Sequence, residues 1–473
     1  MAGITAFGAY IPPTRLPLAH LAGRPVKEGG PEKAVAWNDE DSVTMAVTAA
    51  TDCLSGMDRA CVDGVLFAST THAFREKQAA ALIARALDLR GDVRTADYSG
   101  SLRAGLSALR GALDAVSGSD ASHILVIASD CRMAAPGSAL EANFGDAAVA
   151  FLVGRDDPIA TLEDSHAVSE EIVDVWRSEG DPFVHSWEER FVVQEGYLPQ
   201  MASVVQGTLE KTSSKLDDYA RVALYAPDAR SHSALARQLG ASAETLQDPL
   251  FRKVGNCGVA FAPLLLASAL EEASANDRIL AAGYGDGAEA MTFRKVSEIS
   301  SRGKRLGVRG HLSRRRTVAS YDRYLKARSL TPQEWNPGAD PGLSATVHFR
   351  ERDEDLGLKG QRCLACDKLQ FPCQRVCENC FEKDRFDRVR LSDRQGRIVT
   401  YTFDYFFPNP DPPTIVTVTD IDGARVHLQL VDCSPEDTRI GLPVEFVFRR
   451  IHEGGGRPNY YWKGRPADPG GSA

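Results

Sequence analysis

The chain has 473 residues, 43% of them hydrophobic and 25% charged, with a formal net charge of −9 at pH 7. That composition is typical of a globular protein with room for about three average domains. The negative charge argues against nucleic-acid binding, and the lack of any apolar run of about 20 residues argues against a membrane span.

The first 310 residues alternate short apolar runs with longer Ala- and Leu-rich stretches. The short runs predict buried strands at Val65–Ser69, His123–Asp130, Ala147–Gly154 and Arg221–Tyr225. The longer stretches predict helices with one apolar face at Gln78–Leu89, Leu102–Val116 and Ala260–Ala273. Strands alternating with helices indicate an α/β domain with a covered sheet, whose second half repeats the first.

The composition changes after residue 310. Residues 311–350 contain a basic run, a helical segment around Ser320–Ser329 and the Pro- and Gly-rich stretch 335–344, so we predict a linker there. The cysteine-rich segment 351–388 follows, and from 389 to 467 short strands alternate with Asn-Pro and Asp-Gly turns. Strands of this kind suit a small Greek-key barrel. We expect the tail, 468–473, to be disordered.

Two Cys-x2-Cys turns separated by ten residues predict a metal site. Their ligands are Cys363, Cys366, Cys377 and Cys380. Four thiolates complete the tetrahedral shell of Zn²⁺ and leave no position for water, so the zinc is expected to be structural. Cys373 lies off this pattern. The other cysteines are scattered among apolar residues, and the N-terminus has no signal-peptide pattern, so we predict a cytoplasmic protein with reduced thiols.

The segment from about 343 to 466 resembles the zinc-ribbon plus OB-fold domain that accompanies thiolase-type enzymes. The first 310 residues resemble 3-hydroxy-3-methylglutaryl-CoA synthase and, more distantly, ketoacyl synthase III. The matching motifs are NDEDSVTMA (38–46), DYSGSLRAG (97–105), FGDAAVAFLVG (144–154), DVWRSEGDPF (174–183), RFVVQEGY (190–197), GNCGVAFAPLLLASAL (255–270) and GYGDGAEA (283–290). The resemblance implies the thiolase-like fold, two similar βαβαβαββ halves that usually pair into a homodimer.

The chain departs from these synthases at the positions that carry their chemistry. Counted from Asp97, the place of the cysteine nucleophile is occupied by Leu102, which cannot attack a thioester. The histidine of the His-x-Pro-Asn motif is replaced by Tyr225, and the acid/base glutamate by Thr70. Asn256 matches the asparagine that helps polarise the thioester carbonyl. Claisen condensation through an acyl-cysteine is therefore not expected.

Two functions are compatible with these replacements. The first is a retro-aldol reaction on a β-hydroxyacyl-CoA, with Tyr225 as base or acid and Asn256 stabilising the enolate. Thiolase-like aldolases of steroid side-chain degradation lack the usual nucleophile, rely on tyrosines and require the same zinc-ribbon/OB domain. The second is a non-catalytic acyl-CoA-binding or scaffold partner of an active thiolase or synthase. The remaining predicted substrate-binding residues are His72, Tyr98 and Tyr284, beside Thr70 and Leu102.

Overall fold

A computed structural model describes residues 2–178, 180–298, 304–331, 344–454 and 456–467. The chain divides into two units, the first comprising Met1–Trp37 and Asp41–Tyr321, the second Asn38–Glu40 and Asp322–Ala473. The predicted disordered tail and most of the Pro- and Gly-rich stretch at 335–344 lie outside the described residues. Within the described ranges, no helix combines the length and apolar composition needed to cross a membrane.

The strands through residue 317 all belong to the first unit. They are β1 (Gly3–Tyr10), β2 (Thr14–Pro17), β3 (Glu32–Ala34), β4 (Gly64–Ala68), β5 (Arg94–Tyr98), β6 (His123–Asp130), β7 (Ala147–Gly154), β8 (Ala160–Ser169), β9 (Val175–Trp176), β10 (His185–Ser186), β11 (Arg221–Leu224), β12 (Arg278–Tyr284), β13 (Gly287–Lys295) and β14 (Arg316–Thr317).

The α-helices up to residue 327 follow the same order. They are α1 (Leu18–Leu21), α2 (Ser42–Cys53), α3 (Ala79–Ala86), α4 (Ala104–Gly118), α5 (Glu189–Phe191), α6 (Leu198–Lys211), α7 (Ala229–Leu239), α8 (Phe261–Glu272), α9 (Gly307–Ser313) and α10 (Tyr321–Ala327). A π-helical turn, Val192–Tyr197, joins α5 to α6. Part of the predicted linker is thus structured, since α10 is helical and β14 pairs with β2.

Nine strands form one sheet in the order β11-β12-β13-β8-β1-β7-β6-β4-β5. Its two halves repeat each other. In the first half β7 pairs antiparallel with β1 and β6, and β6 pairs parallel with β4. In the second half β13 pairs antiparallel with β8 and β12, and β12 pairs parallel with β11. This is the duplicated α/β arrangement of the thiolase-like fold.

The sheet is buried because its strands are apolar on both faces. Every residue of β7 and all but the first of β6 are buried. Helix α8 is also apolar around its circumference, and its residues from Phe261 to Leu270 are all buried. These elements share one hydrophobic core. Strands β4, β6, β11 and β12 contribute to that core. The backbone position of the residue that follows each strand is therefore fixed by packing.

The second unit contains a small three-stranded sheet and a closed barrel. Its elements are α11 (Ala345–Asp355), β15 (Lys359–Cys363), β16 (Leu369–Gln370), β17 (Phe386–Arg390), β18 (Gly396–Asp404), β19 (Thr414–Ile421), β20 (Ala424–Leu430), β21 (Pro443–Gly454) and β22 (Arg457–Pro466). The sheet has the order β16-β15-β17, and the barrel closes as β18-β19-β20-β22-β21. Buried residues alternate with more exposed ones along β19 and β20, as a barrel wall requires.

A buried ion cluster lies in the second unit. Arg449, 1% exposed, contacts the carboxylates of Glu40 and Asp432, the latter at 2.8 Å. Lys463 donates to Asp39 Oδ2 at 3.0 Å. Residues 38–40 therefore belong to this unit through charge pairing with barrel strands β21 and β22, although they precede the barrel in sequence by several hundred residues.

Candidate functional site

The sequence-predicted residues of the first unit follow strand ends. Thr70 comes two residues after β4, Tyr225 directly after β11, and Tyr284 is the last residue of β12. Leu102 lies between β5 and the start of α4. Carboxyl ends of parallel strands are where α/β folds commonly place binding and catalytic groups.

Tyr225 and Asn256 are hydrogen-bonded to each other. Asn256 Nδ2 donates to the Tyr225 hydroxyl at 3.2 Å and to the Ala226 carbonyl at 3.1 Å. Its Oδ1 accepts from Arg132 Nη2 at 2.9 Å and from the Gly258 amide at 3.0 Å. The amide is thus fully engaged, and the Tyr225 hydroxyl, as the acceptor, keeps its own hydrogen for another partner.

Burial raises the pKa of Tyr225 to about 12, although Arg132 and Asn256 oppose the shift. A phenol acts as a base near neutral pH only where its neighbours lower its pKa. The structure has the opposite effect, because the side chain is 3% exposed and desolvation penalises the phenolate. At neutral pH Tyr225 therefore keeps its proton and can donate a hydrogen bond while it accepts one from Asn256.

Three tyrosines form a cluster at this point. The Tyr225 and Tyr284 rings stack with centroids 6.3 Å apart, and Tyr197 packs edge-on to Tyr284 at 5.5 Å. Tyr197 donates its hydroxyl to the backbone carbonyl of Tyr225 at 2.8 Å. The Tyr284 hydroxyl is buried without a hydrogen-bond partner in the described part of the chain, and burial raises its pKa. An unpaired buried hydroxyl is a candidate ligand-binding group.

Asp174 is a candidate functional residue that sequence reasoning missed. Its carboxyl faces the Tyr284 hydroxyl without reaching regular hydrogen-bond geometry, and burial raises its pKa to about 6. The segment DVWRSEGDPF resembles a synthase motif, but the sequence does not distinguish this aspartate from other acidic residues. A carboxyl whose pKa is raised toward neutral pH, facing a buried phenol, is typical of an acid/base site.

Thr70 is held by a buried carboxylate. Asp130 Oδ2 accepts from Thr70 Oγ1 at 2.8 Å, and Oδ1 accepts from the Thr70 amide at 2.7 Å. Ser69, Thr71 and the Val259 amide also donate to Asp130. The Thr70 hydroxyl hydrogen is therefore used internally, which fits a residue that shapes the pocket rather than one that transfers a proton.

Leu102 lies against the loop that follows Tyr284. Ser101 Oγ donates to the Gly285 carbonyl at 3.0 Å. A methyl group on Gly285, whose φ is +154°, would come within 2.9 Å of the Leu102 amide nitrogen. Glycine is required there because the loop meets the start of α4 so closely. Leu102 itself packs against the main core.

His72 and Tyr98 contact each other. The His72 ring nitrogen Nε2 lies 3.3 Å from the Tyr98 carbonyl, and the ring packs edge-on against Phe67 at 5.3 Å. The Tyr98 hydroxyl lies beside the middle of α4, where a methyl group on Gly111 would approach it to 3.1 Å. Among the described contacts, neither side chain reaches Tyr225 or Tyr284.

The cysteines of the second unit are arranged for a tetrahedral ion. The Sγ atoms of Cys363, Cys366, Cys377 and Cys380 all lie within 4.8 Å of one another. The Cys363–Cys380 and Cys366–Cys377 sulfur distances are 3.7 and 3.6 Å, close to the tetrahedral edge of about 3.8 Å that Zn–S bonds of about 2.3 Å imply. The donor set therefore fits Zn²⁺.

Comparisons with known proteins agree with this division. Residues 351–384 match the family model described as "ChsH2, rubredoxin-like zinc ribbon domain", and residues 388–449 match "ChsH2, C-terminal OB-fold domain". A hydroxymethylglutaryl-CoA synthase of Methanocaldococcus jannaschii is 30% identical over 304 residues, which cover 62% of this chain and 88% of that protein. The corresponding protein of Archaeoglobus fulgidus is 29% identical and covered to 98%.

Solved structures show the same fold. A 3-hydroxy-3-methylglutaryl-CoA synthase complexed with CoA superposes with a TM-score of 0.62 at 21% identity, over 72% of this chain and 94% of that one. The 3-oxoacyl-[acyl-carrier-protein] synthase III of Aquifex aeolicus gives a TM-score of 0.55 at 22% identity, over 62% and 100%. The chain belongs to the thiolase-like hydroxymethylglutaryl-CoA synthase family and carries a C-terminal zinc ribbon and OB-fold domain.

Proposed function

We propose that the first unit is an acyl-CoA carbon–carbon lyase, which cleaves a β-hydroxyacyl-CoA by a retro-aldol reaction without an acyl-enzyme. The observation that carries this proposal is the buried Tyr284 hydroxyl facing Asp174, a carboxyl whose pKa burial raises to about 6. Family membership supports carbon–carbon chemistry on a thioester, since relatives are named hydroxymethylglutaryl-CoA synthases and one solved relative holds CoA.

The proposed reaction needs only proton transfers that side chains of this chain can carry out. Ionised Asp174 accepts the proton of the β-hydroxyl, and the Cα–Cβ bond breaks as the β-carbon becomes a carbonyl. The bonding electrons move into the thioester as an enolate, and the α-carbon then takes a proton back through Tyr284 or protonated Asp174. The products are an aldehyde or ketone and a shorter acyl-CoA, so no oxidant or cofactor is consumed.

Tyr225 stabilises the enolate as a hydrogen-bond donor in this scheme. Its raised pKa keeps the proton on the phenol, and Asn256 orients the hydroxyl through the 3.2 Å bond. A donor aimed at a developing oxyanion contributes about 100- to 1,000-fold in rate. Asn256 then acts through Tyr225, while Leu102 and Thr70 form the wall of the acyl pocket. For His72 and Tyr98 we propose a supporting role at its edge.

The alternative is a non-catalytic acyl-CoA-binding or scaffold partner of an active thiolase or synthase. The observation that favours it is burial: Tyr225, Tyr284 and Asn256 are only 3%, 2% and 1% exposed. A thioester could reach them only after a local movement of the covering chain. The scaffold reading requires no such movement.

Tyr225→Phe separates the two readings. The purified protein is incubated with β-hydroxyacyl-CoA esters, and the released aldehyde or ketone and the shortened acyl-CoA are measured together. We expect the variant to lose about 100- to 1,000-fold in turnover and to bind CoA esters with nearly unchanged affinity, because only one hydroxyl is removed. Tyr219→Phe, a buried tyrosine outside the cluster, is the matched control and should turn over normally.

Unchanged turnover in Tyr225→Phe would remove Tyr225 from the mechanism. Binding of CoA esters by the wild type with no cleavage of any β-hydroxyacyl-CoA would favour the scaffold. Intact-mass spectrometry after incubation should show no acyl adduct on the first unit, because Leu102 occupies the nucleophile position; a stable adduct would contradict the non-covalent scheme.

We also propose that the first unit forms a homodimer. Strand β5 lies at one end of the sheet order and pairs only with β4 among the described strands. An exposed sheet edge is a ready surface for pairing with a second chain. Light scattering on the purified protein measures the mass directly, and a monomeric mass at micromolar concentration would contradict this proposal.

A further inference from the structure

Exposed apolar side chains are concentrated on the segment 173–191, which contains Asp174. In the described part of the first unit six large apolar side chains are exposed, and four of them lie between residues 173 and 191. They are Val173 (57% exposed), Trp176 (38%), Trp187 (66%) and Phe191 (54%), here called the apolar rim. Single exposed apolar residues are ordinary, whereas a local group of them marks a binding surface.

A short ribbon connects the rim to the tyrosine cluster. Strand β9 pairs with β10 so that Trp176 lies opposite His185 and Val175 opposite Ser186. Asp174 precedes Val175, and Trp187 follows Ser186, so both flank the same end of the ribbon. Val175 packs against the small cluster that contains Phe144, and Arg132 of the tyrosine site stacks on the Phe144 ring at 4.3 Å.

The chain after Trp187 borders a surface cavity. The cavity has a volume of about 530 Å³ and is lined by Glu188, Glu189, Arg190, Phe191 and Gln194. The cavity is shallow and largely open to solvent. The same segment continues through the π-helical turn to Tyr197, whose ring contacts Tyr284. The rim, the cavity and the tyrosine cluster are therefore continuous along the chain.

We infer that the apolar rim receives the acyl group of a CoA thioester, and that this acyl group is bulky and apolar. The inference rests on the proposed function for the position of the reacting end, which lies at Asp174 and Tyr284. An acetyl group has only one methyl group to place against the rim. A long or alicyclic acyl group covers the rim, and each buried methylene raises affinity about fourfold.

The charges of the cavity argue against a second protein chain as the occupant. Three of its five lining residues, Glu188, Glu189 and Arg190, are charged. The centre of a subunit contact is depleted of charged residues, because each would have to be desolvated. A small-molecule site with an apolar rim can leave these charged groups in water.

The test measures binding rather than turnover. Acetyl-, hexanoyl- and decanoyl-CoA are titrated by calorimetry into wild type, Trp187→Ala and Phe191→Ala, with Val296→Ala as an exposed apolar control in the same unit. These saturated esters have no β-hydroxyl and cannot undergo retro-aldol cleavage. We expect affinity to rise at least about 100-fold from acetyl to decanoyl. Each rim variant should lose about tenfold for decanoyl-CoA and little for acetyl-CoA.

Equal affinity for the three esters in the wild type would overturn the inference. A second result would also overturn it: rim variants that lose the same affinity for all three esters and have a lower mass by light scattering. The rim would then be a subunit contact. Chain-length discrimination without cleavage of any β-hydroxyacyl-CoA would overturn the proposed lyase and leave this inference standing. Cleavage of a β-hydroxyacyl-CoA without chain-length discrimination would support the proposed lyase and overturn this inference.

Discussion

Asp174 holds its proton more tightly in the folded chain than an aspartate does in water, because burial raises its pKa from 3.8 to about 6. Between these values the unfolded chain has released the proton while the folded chain retains part of it. The free energy of unfolding therefore falls as the pH rises through this window. The full difference corresponds to about 3 kcal/mol, and solvent screening of this partly exposed carboxyl reduces the expected effect to about 1–2 kcal/mol.

Asp174→Asn should accordingly raise stability at pH 7 by about 1–2 kcal/mol and flatten its dependence on pH between about 4 and 6. The same change should abolish lyase turnover, which in the wild type falls as the pH drops below about 6. Urea denaturation at both ends of the window measures the first effect. Glu171→Gln, an exposed carboxyl on the same segment, should change neither quantity, and a pH-independent wild type would refute the assignment.

The sequence could identify some of these residues and not others. Tyr225, Leu102 and Asn256 were found because they occupy motif positions with fixed spacing. Asp174 was not, because its importance comes from burial and from the facing Tyr284 hydroxyl, which depend on how the irregular ribbon folds. The sequence also could not give the direction of the Tyr225 pKa shift. Desolvation raises this pKa and the Arg132 charge lowers it, and their relative size depends on the folded structure.

The π-helical turn Val192–Tyr197 positions the tyrosine cluster through a close contact at Gly196. A methyl group there would lie 2.8 Å from the Tyr284 hydroxyl and 2.7 Å from Ile172 Cδ1. Gly196→Ala should displace Tyr284 and lower lyase turnover about tenfold to a hundredfold. Gly118→Ala, at the end of α4 with no neighbour within 4 Å, should leave turnover unchanged. Equal turnover in the two variants would show that the Tyr284 position does not matter.

We expect the zinc ribbon to depend on its metal for stability. Structural zinc contributes about 10–16 kcal/mol to folding in zinc-finger peptides. Cys377→Ser should therefore lose the metal, measured by elemental analysis after gel filtration, and unfold the ribbon. Cys373→Ser is the matched control, because its sulfur bonds to the Lys359 carbonyl rather than to the other four cysteines. Full zinc content in Cys377→Ser would contradict the predicted ligand set.

Elements with continuous apolar runs were readable from the sequence. The predicted strands His123–Asp130 and Ala147–Gly154 coincide with β6 and β7, because both are buried on two faces. The ribbon of β9 and β10 was not predicted, since it has only two residues in each strand. Helix α10 within the predicted linker was indicated by the helical segment around Ser320–Ser329, whereas the pairing of β14 with β2 joins residues far apart in sequence.

At the scale of the whole molecule, the assignment of residues 38–40 to the second unit was also beyond the sequence. Asp39 and Glu40 precede α2 and look like ordinary acidic residues before a helix. Their partners Arg449 and Lys463 lie in barrel strands that pair antiparallel with each other, with Arg449 opposite Tyr461 and Lys463 opposite Val447. No spacing rule relates such positions, so only the folded chain reveals that these charges meet.

Arg449→Met tests how much this cluster stabilises the second unit. The change removes the cation that contacts Glu40 and Asp432, and leaves both carboxylates in a site where Arg449 is 1% exposed. Breaking a buried ion pair from one side costs about 3–5 kcal/mol, so hydrogen exchange of β21 and β22 should accelerate strongly. Arg425→Met removes an exposed pair with Asp420 and should cost less than about 1 kcal/mol. If both variants lose the same small amount, the barrel is stable without the cluster, and residues 38–40 add nothing to its folding.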